Sequence, residues 1–334
     1  METTQRLVWA DSLKGWLMIL VILGHAIQGV MPEGCFDNHV WNLIYSFHMP
    51  AFMAVSGWFA WHAGGRRPFG SVMKRRCWQL LVPYVVWSLL SIALAGNYGW
   101  TQLGRIVLYP DSFFWFLWIL FLINVIFQAC QWAAARLHTD ELALVGAMCL
   151  VLFATMVVFE VRVCGFQFLS YYFLFYTLGY CVHRFPLLQV RRGVGLVGLF
   201  AVWAVLAWFW NMHTLPAWMP AIPHMPASLM QYAYRGLTAA VAILGLFGAS
   251  PLLLGSTGRG NLAMKEVGNV SLGLYVCHLT LMTYVVKLTT HLLPGAATWA
   301  LVAISFIACA LLSLAIVELL KRNQLTARIF LGKV

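Results

Sequence analysis

Trp9-Ala-Asp11-Ser-Leu-Lys14-Gly-Trp-Leu-Met-Ile-Leu-Val-Ile-Leu-Gly-His25-Ala-Ile-Gln28 is the first apolar stretch of the chain, and it is not clean. It is long enough to cross a bilayer as a helix, yet it holds an acid, a base and an imidazole. A charged group at the bilayer centre costs roughly 2.5–3.5 kcal/mol, so such groups face protein or a cavity rather than lipid. The stretch therefore reads as one wall of a site inside a membrane bundle.

The rest of the chain agrees. Hydrophobic residues make up 62% and charged residues 9%, against about 25% charge in a soluble domain. Mean hydropathy is +0.81. The fold class is all-α: a polytopic membrane bundle. Runs of about 17–25 apolar residues can each span the hydrocarbon core. About ten such runs are present, at 10–30, 41–61, 78–96, 113–134, 141–159, 166–183, 193–211, 228–249, 267–289 and 297–320. They leave no room for a soluble domain, so residues 1–334 read as one integral-membrane domain. No signal-peptide pattern precedes the first run, and the first helix is expected to stay.

The net charge of +11 reads as topology, not as a nucleic-acid footprint. Arg6, Arg66, Arg67, Lys74, Arg75, Arg76, Arg136, Arg184, Arg191, Arg192, Arg259, Lys265, Lys321, Arg322, Arg328 and Lys333 fall on one side of an alternating bundle. Arg105, Arg162 and Lys287 fall on the other. The positive-inside rule then puts both termini in the cytoplasm. Eight cysteines lie scattered without metal-ligand spacing and read as small apolar residues. No metal is expected. The loop 212–227, with His213, Pro216, Pro220, Pro223, His224 and Pro226, reads as a stiff outer cap.

Depth sorts the polar residues. Lys14 and His25 are eleven positions apart, which puts them on one helix face about 16 Å apart along the axis. Lys14 is then near the cytoplasmic end and His25 in the outer half. Counting along the other spans brings His48, Arg235 and His278 to the depth of His25. Asp11, Lys14 and the Arg75/Arg76 cluster share the inner depth. The layout suggests a basic inner subsite connected to a His-containing outer one. Each residue also has a plainer reading. A lone intramembrane His often joins two helices by a hydrogen bond. Asp11 and Lys14 make a local i,i+3 ion pair, and Glu318 near Lys321 and Arg322 reads as an interfacial pair. The agreement in depth favours a site.

These residues carry a family resemblance. Asp11-Ser-Leu-Lys14-Gly15 followed by Gly24-His25 resembles the opening signature of the acyltransferase family 3 membrane proteins, a basic residue, ten positions and a His. Phe47-His48-Met49-Pro50 through Ser56-Gly57 resembles the second-helix signature. Lys74-Arg75-Arg76 through Pro83-Tyr84 resembles the start of the third helix. Trp115-Phe116-Leu117-Trp118 and Gly268-Asn269-Val-Ser271 through Tyr275-Val-Cys-His278 resemble later segments. The order is the family's order, and the chain is most similar to the fucose 4-O-acetylase-like, polysaccharide O-acetyltransferase branch. Two positions depart from the pattern: Lys14 stands where Arg is more frequent, and Gln79 where a second Arg follows Arg76.

The resemblance implies a ten-helix acyltransferase of the bacterial inner membrane. It would move an acyl group, usually acetyl from acetyl-CoA, to a hydroxyl of a cell-envelope glycan or glycolipid. Phosphates favour Arg and Lys, which makes Lys74, Arg75 and Arg76 the donor-binding candidates. His25 is the expected catalyst, as general base or as a transiently acylated nucleophile. Asp11 and Lys14 accompany it. His48 and His278 would orient the acceptor or hold the His25 tautomer. Arg235, Asn269 and Ser271 are candidates to stabilise an oxyanion. The alternative is a proton-coupled transporter or flippase, since intramembrane His, Lys and Asp also build proton relays. No internal repeat of the kind many transporters show is visible. Oligomeric state is not legible.

Overall fold

The computed structural model describes residues 7–63, 68–96, 98–159, 161, 163–185, 193–220, 222–223, 225–256 and 258–333. Arg6, Arg66, Arg67, Arg162, Arg191, Arg192 and His224 lie outside them. Helix accounts for 83%, and the described residues contain no strand. In chain order the helices are α1 (Val8–Val30), α2 (His39–Tyr45), α3 (His48–Ala63), α4 (Phe69–Arg76), α5 (Val82–Leu94), α6 (Trp100–Leu108), α7 (Trp115–Leu137) and α8 (Glu141–Phe159). They continue as α9 (Phe166–Arg184), α10 (Val194–Trp208), α11 (Ala227–Leu253), α12 (Arg259–Asn269), α13 (Ser271–Leu292), α14 (Thr298–Lys321) and α15 (Gln324–Leu331).

Among the described residues seven helices are long and apolar enough to cross a membrane: Val8–Val30, Phe69–Leu94, Trp115–Leu137, Glu141–Val158, Ala227–Leu253, Ser271–Leu292 and Thr298–Lys321. The other expected spans are helical but differ for physical reasons. The run 41–61 is broken into α2 and α3. Pro50 has no N–H to give the carbonyl of Ser46, and its ring crowds that carbonyl. The chain therefore turns at Ser46–Phe47, and the Ser46 hydroxyl donates to the Leu43 carbonyl at 2.8 Å. The run 166–183 becomes α9, whose Gln167, Ser170, Thr177 and four tyrosines lower its hydropathy. The run 193–211 yields the 15-residue α10.

Three basic segments expected in loops are helical instead. Lys74, Arg75 and Arg76 end α4, which runs without interruption through a π-turn (Cys77–Leu81) into α5. Arg259 and Lys265 lie on α12, and Arg328 on α15. All eight cysteines are free thiols. In the outer turn, burial raises the Cys35 thiol above its ordinary pKa, in keeping with an apolar role.

The chain divides into two compact units. The first holds Met1–Val55 and Cys181–Leu314. Within it α1 lies directly on α12. A Cβ built on Gly15 would stand 2.1 Å from the Met264 carbonyl oxygen, and one on Gly268 would stand 1.8 Å from the Asp11 carbonyl oxygen. Only glycine lets the backbones meet. Ser12 adds a hydrogen bond from its hydroxyl to the Asn261 carbonyl, 2.8 Å. Further along, the His25 ring meets His278 and Gly29 meets Val286. Both sequences rise together, so α1 runs parallel to α12 and α13. α14 runs antiparallel to α13, joined by Thr289–Ser305 at 2.8 Å and by the Cys309 thiol on the His278 carbonyl at 3.5 Å. α10 and α11 are antiparallel as well: the Tyr234 hydroxyl reaches the Leu206 carbonyl and Phe200 covers Gly245.

The second unit holds Ser56–Tyr180 and Ala315–Val334. Its core is aromatic, with Tyr84, Phe114, Phe127, Phe173 and Tyr176 almost fully buried. A glycine again permits a backbone crossing, Gly57 against the carbonyl of Tyr176. The expected Glu318–Lys321 pair is present at 2.6 Å.

Gly268→Ala is expected to lower stability by about 1–3 kcal/mol through overpacking, read as earlier thermal unfolding in detergent. Gly236→Ala, whose added Cβ meets nothing within 4 Å, serves as the control and is expected to unfold at the wild-type temperature or slightly above.

Candidate active site

The first unit gathers the three imidazoles. His25 comes from the C-terminal half of α1, His48 from the first residue of α3, and His278 from the middle of α13. The rings of His25 and His278 are 5.2 Å apart between centroids. His25 also lies within electrostatic range of both His48 and His278. Tyr45 locks this arrangement. Its ring packs 4.6 Å from His48, stacks on Trp41 at 3.7 Å, and lies where any Cβ on Gly24 would stand, 2.8 Å away. Its hydroxyl donates to Gln28 Oε1 at 3.3 Å.

Two of the three rings have fixed tautomers. His48 Nδ1 lies 2.7 Å from the Ile44 carbonyl, and His278 Nδ1 lies 3.0 Å from the Leu274 carbonyl. A carbonyl can only accept, so each Nδ1 carries the hydrogen and each Nε2 is left with a lone pair. His278 Nε2 is fully buried and has no hydrogen-bond partner. His25 makes no hydrogen bond among the described residues and keeps some exposed surface. It is the one imidazole free to choose its tautomer and to turn.

Asp11 and Lys14 lie near the N-terminus of α1. Lys14 Nζ lies 2.6 Å from Asp11 Oδ1, with side-chain exposures of 24% and 3%. The carboxylate is buried while the ammonium still reaches the surface. Ser271 begins α13, seven residues before His278 and hence on the same helix face. Asn269 ends α12, where its amide donates to Glu266 at 3.2 Å. Arg235 lies over the Trp210 ring at 5.5 Å.

Lys74, Arg75 and Arg76 belong to the second unit. Lys74 and Arg75 are exposed. Arg76 turns inward, donates to Gln79 Oε1 at 3.1 Å and lies within electrostatic range of Tyr176. Gln79, where the resemblance would have a second Arg, thus accepts from Arg76 through a neutral amide oxygen. Among the described residues no group of three or more His, Cys, Asp or Glu is placed to hold a metal ion.

Sequence reading did not single out Tyr45, Gln28 or the glycine contact between α1 and α12. Tyr45 lies three residues before His48, so helical spacing from a candidate His was the available signal. Gly15 directly follows Lys14, and Gly268 directly precedes Asn269.

A family profile described as "Acyltransferase domain" (Acyl_transf_3) matches residues 7–318. Among curated proteins, "Nodulation protein NolL" of Sinorhizobium fredii is 34% identical over 132 residues, 36% of this chain and 36% of that protein. "Nodulation protein NolL" of Mesorhizobium japonicum is 29% identical over 143 residues, 38% of this chain and 36% of that protein. The matched stretch spans little more than a third of either relative. No solved structure matches.

Lys14→Met removes the cation from a buried carboxylate and is expected to cost about 3 kcal/mol or more. Asp11→Asn leaves behind an ammonium that still reaches the surface, and is expected to cost less. The double variant should recover part of the Lys14→Met loss. Thermal unfolding and membrane yield measure all three.

Proposed function

The chain belongs to acyltransferase family 3, a family of integral-membrane acyltransferases, and from that premise we propose that it is an O-acyltransferase using cytoplasmic acyl-CoA. The acyl group is acetyl, and the acceptor is a hydroxyl of a cell-envelope glycan or glycolipid. About ten helices cross the bacterial inner membrane as one domain, with both termini in the cytoplasm. The parallel course of α1 and α13 supports that alternation, since spans one and nine then enter from the same side.

The observation that carries the reading is the unequal freedom of the three imidazoles. His48 and His278 are tied to backbone carbonyls and His25 is not. His25 is the general base in this reading. It takes the acceptor hydroxyl proton as the oxygen attacks the thioester carbonyl. The tetrahedral oxyanion then collapses, the C–S bond breaks, and the departing thiolate takes the proton from the imidazolium. The free lone pair on His278 Nε2 offers an acceptor for the second His25 N–H, which holds the ring with its basic nitrogen toward the hydroxyl. Ser271, Asn269 and Arg235 are the proposed donors to the oxyanion, and His48 positions the acceptor. The Asp11–Lys14 pair keeps a paired charge at the inner end of α1. The donor phosphates go to Lys74, Arg75 and Arg76.

His25→Ala should lower acyl transfer by at least about 10²-fold, as loss of a general base does, with folding and acyl-CoA affinity unchanged. Wild-type turnover in this variant would sink the assignment. Labelled acyl-CoA supplied without acceptor should leave no label on the protein, whereas a labelled His25 would establish the acyl-imidazole route instead. Arg75→Ala with Arg76→Ala should raise KM for acyl-CoA at least about tenfold, a loss near 1.4 kcal/mol. Normal kcat in a glycan-acetylation assay with excess donor would accompany it.

A further inference from the structure

The turn between α4 and α5 has a cause. Pro83 has no N–H for the carbonyl of Gln79, so the regular i to i−4 ladder cannot be completed there. The chain widens into the π-turn, with Val82 donating to the Cys77 carbonyl. Such widened turns recur at functional sites. α15 is folded onto this one. A Cβ on Gly332 would lie 2.3 Å from the Gln79 carbonyl oxygen, and Gly332 has a positive φ of 61°. Trp87 Nε1 donates to the Phe330 carbonyl at 2.9 Å. Arg328 lies over the Trp78 ring, its guanidinium carbon 4.2 Å from the centroid.

Trp78 follows Lys74 by four residues and Arg75 by three, so both share its face of the helix. Arg76, two residues away, turns inward to Gln79. Arg328 lies over the Trp78 indole, and Lys74 and Arg75, both exposed like Arg328, stand on the same helix face one turn before it. Among the described residues none of them is paired with a carboxylate. Like charges held together repel, and positive-inside topology alone asks only that they share a side of the membrane. The contacts of Gly332, Phe330 and Arg328 hold them at one place.

We propose that Lys74, Arg75 and Arg328, assembled on Trp78 by the docking of α15, form a binding site for phosphate-bearing ligands. The phosphates come from the nucleotide end of the donor or from an anionic lipid headgroup. The first source rests on the donor reading above. Arg328 is the residue that this adds, and its planar guanidinium suits paired phosphate oxygens.

The test uses the full chain, purified in detergent and titrated with CoA, and in nanodiscs of zwitterionic lipid with or without an anionic phospholipid. Arg328→Gln should weaken CoA binding at least tenfold, and Arg328→Lys, which keeps the charge but loses the planar fork, should restore only part of it. That result supports the site with the donor as source. If Arg328→Gln leaves CoA binding intact but abolishes the thermal stabilisation by anionic nanodiscs, the site stands with lipid as source. If wild type binds no CoA, the donor reading falls and the nanodisc comparison alone decides the site. If Arg328→Gln changes neither measurement, the site is overturned.

Discussion

No side chain separates α1 from α12 where Gly15 crosses Gly268. In a bilayer, helices gain little by hiding apolar surface from one another, because lipid is as apolar as leucine. Close packing of small residues does that work. Here it also sets register. His25 stands ten positions beyond Gly15, and His278 ten beyond Gly268. Since α1 runs parallel to α12 and α13, equal offsets bring the two rings to one level. The meeting of the two rings is thus aligned from a contact about 15 Å away along α1.

That alignment matters because the three histidines are chemically unequal. An imidazole tied through Nδ1 to the preceding turn of its own helix is fixed in tautomer and direction. His48 and His278 are tied in this way, and His25 is not. A proton carrier must accept, hold and release without breaking the scaffold, and the untied ring can do so. Tyr45, wedged against Gly24, packs on the His48 ring and holds α2 close to α1 beside His25.

Hydropathy made the helices legible, and counting along them singled out His25, His48 and His278, which the fold brings together. The i,i+3 spacing disclosed the Asp11–Lys14 pair, while the choice of Lys321 over Arg322 as the partner of Glu318 came from the structure. What stayed hidden were features that depend on a partner distant in sequence. Gly15 reads as a small helix residue until Gly268 is placed against it. Pro83 announces a disturbed helix, but whether the chain kinks, breaks or widens depends on neighbours such as Gly332. Basic residues taken for loop markers proved helical because charge pattern reports the side of a membrane and carries no information on backbone conformation. The break at Ser46–Phe47 could have been read from Pro50, had its missing N–H been weighed against an apolar run of convincing length.

The buried Asp11 has a consequence for the birth of the protein. Ser12 and its partner Asn261 are 249 residues apart, so α1 leaves the ribosome long before α12 exists to receive it. At usual synthesis rates of about 5–20 residues per second, the interval is on the order of ten seconds or more. During that time the helix meets lipid and early helices, not its final neighbour. A carboxylate whose counter-charge came from α12 would spend the interval uncompensated. Lys14 lies one turn away on the same helix, so the charge is neutralised as soon as α1 is wound. The salt bridge lets α1 enter the bilayer early and wait there for α12.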